Sequence, residues 1–388
     1  MKKFIPYGKH FIDEDDIQNV VDVLRSKNIA QGETTPLFEN EVKKFVNVKY
    51  ALAVNSATSA LHLACLALGL KKNDIVWSSP TTFVSSLNCA RFCGAKVDFV
   101  DIDPSTGLMN IDLLEKKLFL ASKNNLLPKI LIPVHLAGTS CDMRRIKELS
   151  EEYNFSIIED ASHAIGGSYE NYKVGSCKYS DITVFSFHPV KIITTGEGGM
   201  ATTNQKMLAE RMRDLSTHGI IKDSSRFISK SSCPWFYEQQ YLGFNYRITD
   251  IQSSLGLSQL SKLSRFVKKR NEIFYIYSDL LRDQPISILE IPKNVYSALH
   301  LMIIRLNNSD EEFHRSVFKE LRNHDIGVQL HYLPVHLQPY YKNLGFKVGD
   351  FPNAEFYAKN AISLPIYPAL KLEEINYIVE VLKNLLRI

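Results

Sequence analysis

The run "DEDDIQNVVDVLRSKN", residues 13–28, sets Ile17, Val20, Val21 and Leu24 on one face of a 3.6-residue period. Acids open it, where the helix dipole favours negative charge, so an amphipathic helix is predicted. "TPLFENEVKKFVNV" repeats the pattern. "YALAVNSATSALHLACLALGL" then changes period: a short apolar strand, a turn of small polar residues, and a helix. Compact β-rich runs follow at "DIVWSS", "KVDFVDID", "KILIPVHL", "FSIIEDAS" and "DITVFSF", with helical patterns such as "MRRIKELSEEYN" between several of them. This alternation predicts an α/β domain with a largely parallel sheet covered on both faces. In such sheets ligands gather beyond the carboxyl ends of the strands. "TDIQSSLGLSQLSKLSRFVKKRNEIFYIYSDLLRD" reads as one long helical region bridging to a second unit. There "ALHLMIIRL" and "IGVQLHYLP" read as strands, and "EEFHRSVFKELRNH" and "EEINYIVEVLKNLLRI" as helices. The expected division is a large domain over 1–260 and a smaller α+β domain over 261–388.

The chain has 388 residues, 45% of them hydrophobic and 23% charged, which describes an ordinary soluble globular protein. Its net charge of +4 sets 46 basic against 42 acidic side chains with no long basic run, so no nucleic-acid partner is expected. The six cysteines form no CxxC pair, which argues against structural zinc or any other metal and for reduced, mostly buried thiols in the cytoplasm. No stretch is apolar enough to span a bilayer.

Candidate chemistry lies at the ends of the apolar runs. In "VFSFHPVKIITTGEGGM" a single lysine, Lys191, stands among apolar and small residues. Desolvation there would free a neutral amine as nucleophile or Schiff-base partner; a lone lysine more commonly lays its stem on apolar surface and sends its ammonium to water. Asp160 ends "FSIIED" and either caps a following helix or holds a pyridinium nitrogen protonated. His163 follows, as a core histidine or a neighbour of such a ring. The "NSATSALH" turn offers hydroxyls and N–H groups to a phosphate, or plain capping by Ser56 or Thr58. Ser186 could add a hydroxyl, and Phe83 in "SSPTTFVSS" could stack on a planar cofactor or join the core. Asn245 and Arg247 precede a helix capped by Thr249 or Asp250.

Together, "QGETTPLFENEV", "NSATSALHLA", "PTTFVSSLN", "PVHLAGTSCDM", "EDASHAIGG", "FSFHPVKIITTGEGG", "GFNYRITDIQSSLGLSQL" and "SLPIYPAL" resemble the DegT/DnrJ/EryC1/StrS family of nucleotide-sugar aminotransferases over nearly the whole chain. The resemblance implies the fold type I (aspartate aminotransferase-like) architecture of pyridoxal-phosphate-dependent transferases, with a large domain on a mostly parallel mixed sheet. It implies Lys191 as the Schiff-base lysine, Asp160 on the pyridinium nitrogen and His163 near the 3-hydroxyl edge. Ala57, Thr58 and Ser186 would hold the phosphate, and Phe83 would lie over the ring. Asn245 would reach the cofactor of a neighbouring subunit in a homodimer with shared sites. The family's deoxygenating branch has histidine in place of the lysine, so Lys191 implies transamination: L-glutamate gives its amine, leaves as 2-oxoglutarate, and a keto-sugar nucleotide accepts. Likeness to the pseudaminic-acid branch lies in "GVQLHYLPVHLQPYY", Tyr7 and "SKNIAQG". It implies a UDP-linked 4-keto-6-deoxy-N-acetylhexosamine bound by Tyr7, Lys27, Asn28, His331 and Tyr332. Bacillosamine-, perosamine- or legionaminic-type sugars are alternatives, and a catalytically idle cofactor-binding regulator is a further one.

Overall fold

The structure, a computed structural model, describes residues 4–231, 233–307 and 309–387. Seven strands build the main sheet: β1 (Tyr50–Val54), β2 (Ile75–Ser78), β3 (Lys96–Phe99), β4 (Ile130–Ile132), β5 (Ser156–Asp160), β6 (Ile182–Ser186) and β7 (Gly199–Thr203). Their order is β1-β7-β6-β5-β4-β2-β3, and β7 alone runs against the others. Side chains alternate across this sheet as the pleat requires. Val184 and Leu52 face one apolar core together with Leu61 of helix α3 (Ala57–Ala67). Phe185 and Ala53 face another, filled by Phe38, Leu263 and Val267.

The helix from residue 14 forms, but its apolar stripe does not reach the core. In α1 (Glu14–Arg25), Ile17 and Leu24 are 48% and 54% exposed, whereas Asp16 is fully buried. Asp16 accepts hydrogen bonds from Ser258 and Gln259 and pairs with Lys262, so polar anchoring sets the helix's rotation. A capping box between Asp13 and Asp16 starts it. Helix α2 spans Thr34–Val46.

The long helical region is one helix of 31 residues, Asp250–Leu280, opened by a capping box of Thr249 and Gln252. Its Leu263 and Val267 belong to the core under the main sheet, and its Ile273 and Tyr277 to a separate core in the C-terminal part. The expected division at residue 260 falls within this helix. The second core gathers a three-stranded antiparallel sheet, in which Met302–Leu306 lies between Ile286–Ile288 and Ala361–Leu364, and helices Glu311–Asn323 and Leu372–Leu386. The strand expected in "IGVQLHYLP" is not formed. That segment makes only isolated bridges, Ile326 to Ile5 and Gln329 to Ser363, and then turns along a cavity wall. Among the described residues no helix is long and apolar enough to cross a membrane.

Candidate active site

A cavity of about 740 Å³ opens beyond the carboxyl ends of β1, β5 and β6. The β1 chain leaves Val54 and turns into α3, where Ser56 Oγ accepts the Ser59 N–H at 3.1 Å. Ala57 and Thr58 line the cavity in the first turn of α3, where backbone N–H groups lack intrahelical partners and the dipole is positive. Strand register adds Ser186, because Gly199 pairs with Val54 on one side and Ser186 on the other. Gly199 must be glycine: a Cβ would lie 2.5 Å from Ala57 N.

Asp160, at the end of β5, is buried and accepts three hydrogen bonds. Oδ2 receives the Ser86 hydroxyl at 2.6 Å, and Oδ1 receives the Ser162 N–H at 3.1 Å and its hydroxyl at 2.5 Å. Turns rather than a helix follow it, so Asp160 is no helix cap. Lys191 lies in the loop after β6, which folds back so that Thr195 N–H reaches the Phe187 carbonyl at 3.0 Å. Burial pushes the Lys191 amine down to about 8, against the opposing pull of Asp160. Lys191 is half-buried in the cavity lining.

The opposite wall is aromatic and uncharged. His163 Nε2 is 3.1 Å from the Tyr332 hydroxyl, and its ring centroid is 4.5 Å from that of His300. Burial, then the charges of Lys191 and His331, hold His163 well below the ordinary histidine range, and its Nδ1 has no hydrogen-bond partner among the described residues. His331 is pushed down to about 3 by burial and Lys191, with Nδ1 2.8 Å from Ser363 Oγ. Burial raises the Tyr332 phenol, which stays protonated. Tyr7 packs on His331 with centroids 5.4 Å apart.

Ten of the residues singled out in the sequence, Lys191, Asp160, His163, Ala57, Thr58, Ser186, Phe83, Tyr7, His331 and Tyr332, meet around this one cavity. Phe83 is 57% exposed, its centroid 6.3 Å from that of Tyr332. Lys27, Asn28 and Asn245 do not line it; all three are exposed. The loop carrying Lys27 and Asn28 packs on the start of the long helix, where the Asp250 N–H meets the Ala30 carbonyl at 3.1 Å. Sequence reasoning missed Ser86, Ser162 and His300. The first stood within a quoted hydroxyl-rich run and the second beside Asp160, while His300 carried no signal.

Residues 10–383 match the model of the DegT/DnrJ/EryC1/StrS aminotransferase family. The chain belongs to this family. This aminotransferase is 36% identical to the spore coat polysaccharide biosynthesis protein SpsC of Bacillus subtilis, over 99% of its own length and 97% of that protein. It is 35% identical to the UDP-4-amino-4,6-dideoxy-N-acetyl-beta-L-altrosamine transaminase of Campylobacter jejuni, over 98% and 97% of the two chains. The Streptococcus pneumoniae protein Spr1654, solved in a PLP form, superposes with a TM-score of 0.89 at 30% identity, covering 99% of each chain. The family is pyridoxal-phosphate-dependent, and the enzyme is an aminotransferase rather than an idle binding protein. The donor set fits that cofactor: N–H groups and a hydroxyl suited to a phosphate, a carboxylate, and an amine near neutrality suited to an aldehyde.

Proposed function

We propose that the enzyme moves the amino group of L-glutamate to C4 of a UDP-linked 4-keto-6-deoxy-N-acetylhexosamine, giving the 4-amino sugar nucleotide and 2-oxoglutarate in a pseudaminic-acid-type pathway. The observation that carries the chemistry is the Lys191 amine, at about 8, sharing one cavity with Asp160. Bound pyridoxal phosphate supplies an aldehyde that takes up the amine and a ring that draws electrons from the reacting carbon. With the cofactor bound, Asp160 would pair with the ring nitrogen and hold it protonated, and the Lys191 amine would be the group that accepts and returns a proton. His163 would lie along the 3-hydroxyl edge and Phe83 over the ring, and Ala57, Thr58 and Ser186 would hold the phosphate.

The sugar assignment is supported by the identity to the Campylobacter jejuni transaminase and by Tyr7, His331 and Tyr332 on the neutral wall. We place Lys27, Asn28 and Asn245 in the site of a second copy. The exposed apolar side chains of Ile17 and Leu24 on α1, and of Ile29 next to Asn28 in the chain, support a homodimer with shared sites.

The test is amination of UDP-, GDP- and dTDP-linked 4-keto sugars with L-glutamate, followed as product nucleotide. Turnover of the UDP-linked N-acetylhexosamine is expected. Turnover confined to another sugar would overturn the assignment and favour a second reading, in which the enzyme aminates a different 4-keto sugar nucleotide for a polysaccharide, a reading that the similarity to SpsC supports.

A further inference from the structure

Beneath the cavity, on the face of β5 opposite Asp160, lies a buried polar cluster to which none of the roles above applies. Neighbouring residues of a strand point to opposite faces, so Asp160 looks into the cavity and Glu159 away from it. Glu159 Oε2 is 2.7 Å from Nε2 of His135, a side chain with no exposure at all. Its Oε1 accepts from the Thr183 hydroxyl at 2.9 Å and from the Ser180 hydroxyl. The Cys141 N–H donates to His135 Nδ1 at 3.3 Å, so Nδ1 is the acceptor and Nε2 carries the proton that meets Glu159.

The three donors come from both flanks of β5: His135 just past β4, Ser180 before β6 and Thr183 within it. The backbone repeats this clamp one residue on. His135 N–H donates to the Asp160 carbonyl at 3.0 Å, Asp160 N–H to the Pro133 carbonyl at 2.9 Å, and Ala161 N–H to the Val184 carbonyl at 2.9 Å. His135 therefore holds Glu159 by its ring and Asp160 by its peptide. Buried charged clusters of this kind are weak sources of stability, since apolar replacements of similar volume often match or exceed them. What a fully satisfied network contributes is a single arrangement of the groups it joins.

We propose that Glu159 and His135 are positioning residues for Asp160, fixing the end of β5 so that its carboxylate meets the ring nitrogen of the cofactor. The inference rests on the reading of Asp160 as that partner. A displacement of about 1 Å at such a group costs on the order of 100-fold in rate.

The experiment compares the holoenzyme with Glu159→Gln, His135→Leu, the conservative His135→Gln, the paired Ser180→Ala/Thr183→Val variant, and Asp160→Asn as reference. Four quantities are read: cofactor affinity by equilibrium dialysis, the pH midpoint of the bound cofactor's absorption, kcat and KM for glutamate, and Tm of the apoprotein. Glu159→Gln is expected to weaken cofactor retention about tenfold, to shift the absorption midpoint in the same direction as Asp160→Asn, and to lower kcat with KM little changed. His135→Gln, which keeps an N–H donor, should recover part of what His135→Leu loses. A lower Tm with wild-type affinity, midpoint and kcat would make the cluster merely structural and end the proposal. Should Glu159→Gln fail to fold, the Ser180/Thr183 variant decides by the same criteria. If Asp160→Asn itself leaves affinity and absorption unchanged, it is the reading of Asp160 that fails, and the inference falls with it.

Discussion

The Ser86 hydroxyl donates to Asp160 Oδ2 at 2.6 Å, joining the helix Ser85–Phe92 to the end of β5, and the Thr82 hydroxyl lies 2.7 Å from the same oxygen of Ser86. A hydrogen bond to a charged group is worth about 1.5–3 kcal/mol. Ser86→Ala is therefore expected to weaken cofactor binding about tenfold or more while the far-ultraviolet spectrum stays that of the wild type. Unchanged affinity would show that Asp160 is held well enough by Ser162 alone.

If Lys191 is the amine that takes up the cofactor, it should set the pH dependence of cofactor capture. With its amine at about 8, roughly one-tenth is neutral at pH 7 and half at pH 8. Capture of added pyridoxal phosphate by the apoprotein, followed as the growth of cofactor absorption, should rise with pH and level off above about 8. The sign for stability follows from the same depression below 10.5. Between about 8 and 10.5 the unfolded chain binds more protons at this lysine than the folded one, so apoprotein stability gains a contribution as pH rises through that window. Lys191→Ala should remove both effects and multiple turnover together; a capture rate flat from pH 6 to 9 would contradict the assignment.

Gly199→Ala tests the seat at the start of α3. The added methyl would meet Ala57 N and Ser56 C, each 2.5 Å away, and both are backbone atoms that cannot step aside. A cost of about 1–3 kcal/mol in stability is expected, with a larger relative loss of affinity for the phosphorylated cofactor than for unphosphorylated pyridoxal. Equal losses for the two would remove Ala57 and Thr58 from phosphate binding.

Sharing of sites is testable by complementation. Lys191→Ala and Asn245→Ala are each expected to be impaired alone. In a mixed dimer one site would regain both residues, so co-refolded variants should recover about a quarter of wild-type activity if subunits pair at random in a twofold assembly. Recovery no greater than the sum of the separate variants would show that Asn245 does not act across an interface.

The sheet was legible in the sequence because its strands are short apolar runs ending in turn-forming or charged residues, and the ligand side followed from their carboxyl ends. Ten site residues converge because they lie at such ends or on the wall contributed by the C-terminal part. The direction of the α1 stripe was not legible: Asp16 took the inward position through three distant polar partners, which periodicity cannot reveal. "IGVQLHYLP" misled for a related reason. Its alternation matches a strand, but the ladder bonds go to isolated partners, and its His331 and Tyr332 face a cavity instead of a core. His300 entered the site only through the fold, which sets its ring against His163.

Ile5 pairs with Ile326, and the Ile366 N–H donates to the Tyr7 carbonyl at 3.1 Å, so the segment holding Tyr7 is seated on residues far along the chain from it. Closing so long a loop comes late in folding, because its entropy must be met before its contacts form. A nascent chain on the ribosome therefore carries Lys191 and Asp160 long before the wall holding Tyr7, His331 and Tyr332 exists. The aromatic wall is thus the last side of the cavity to be completed.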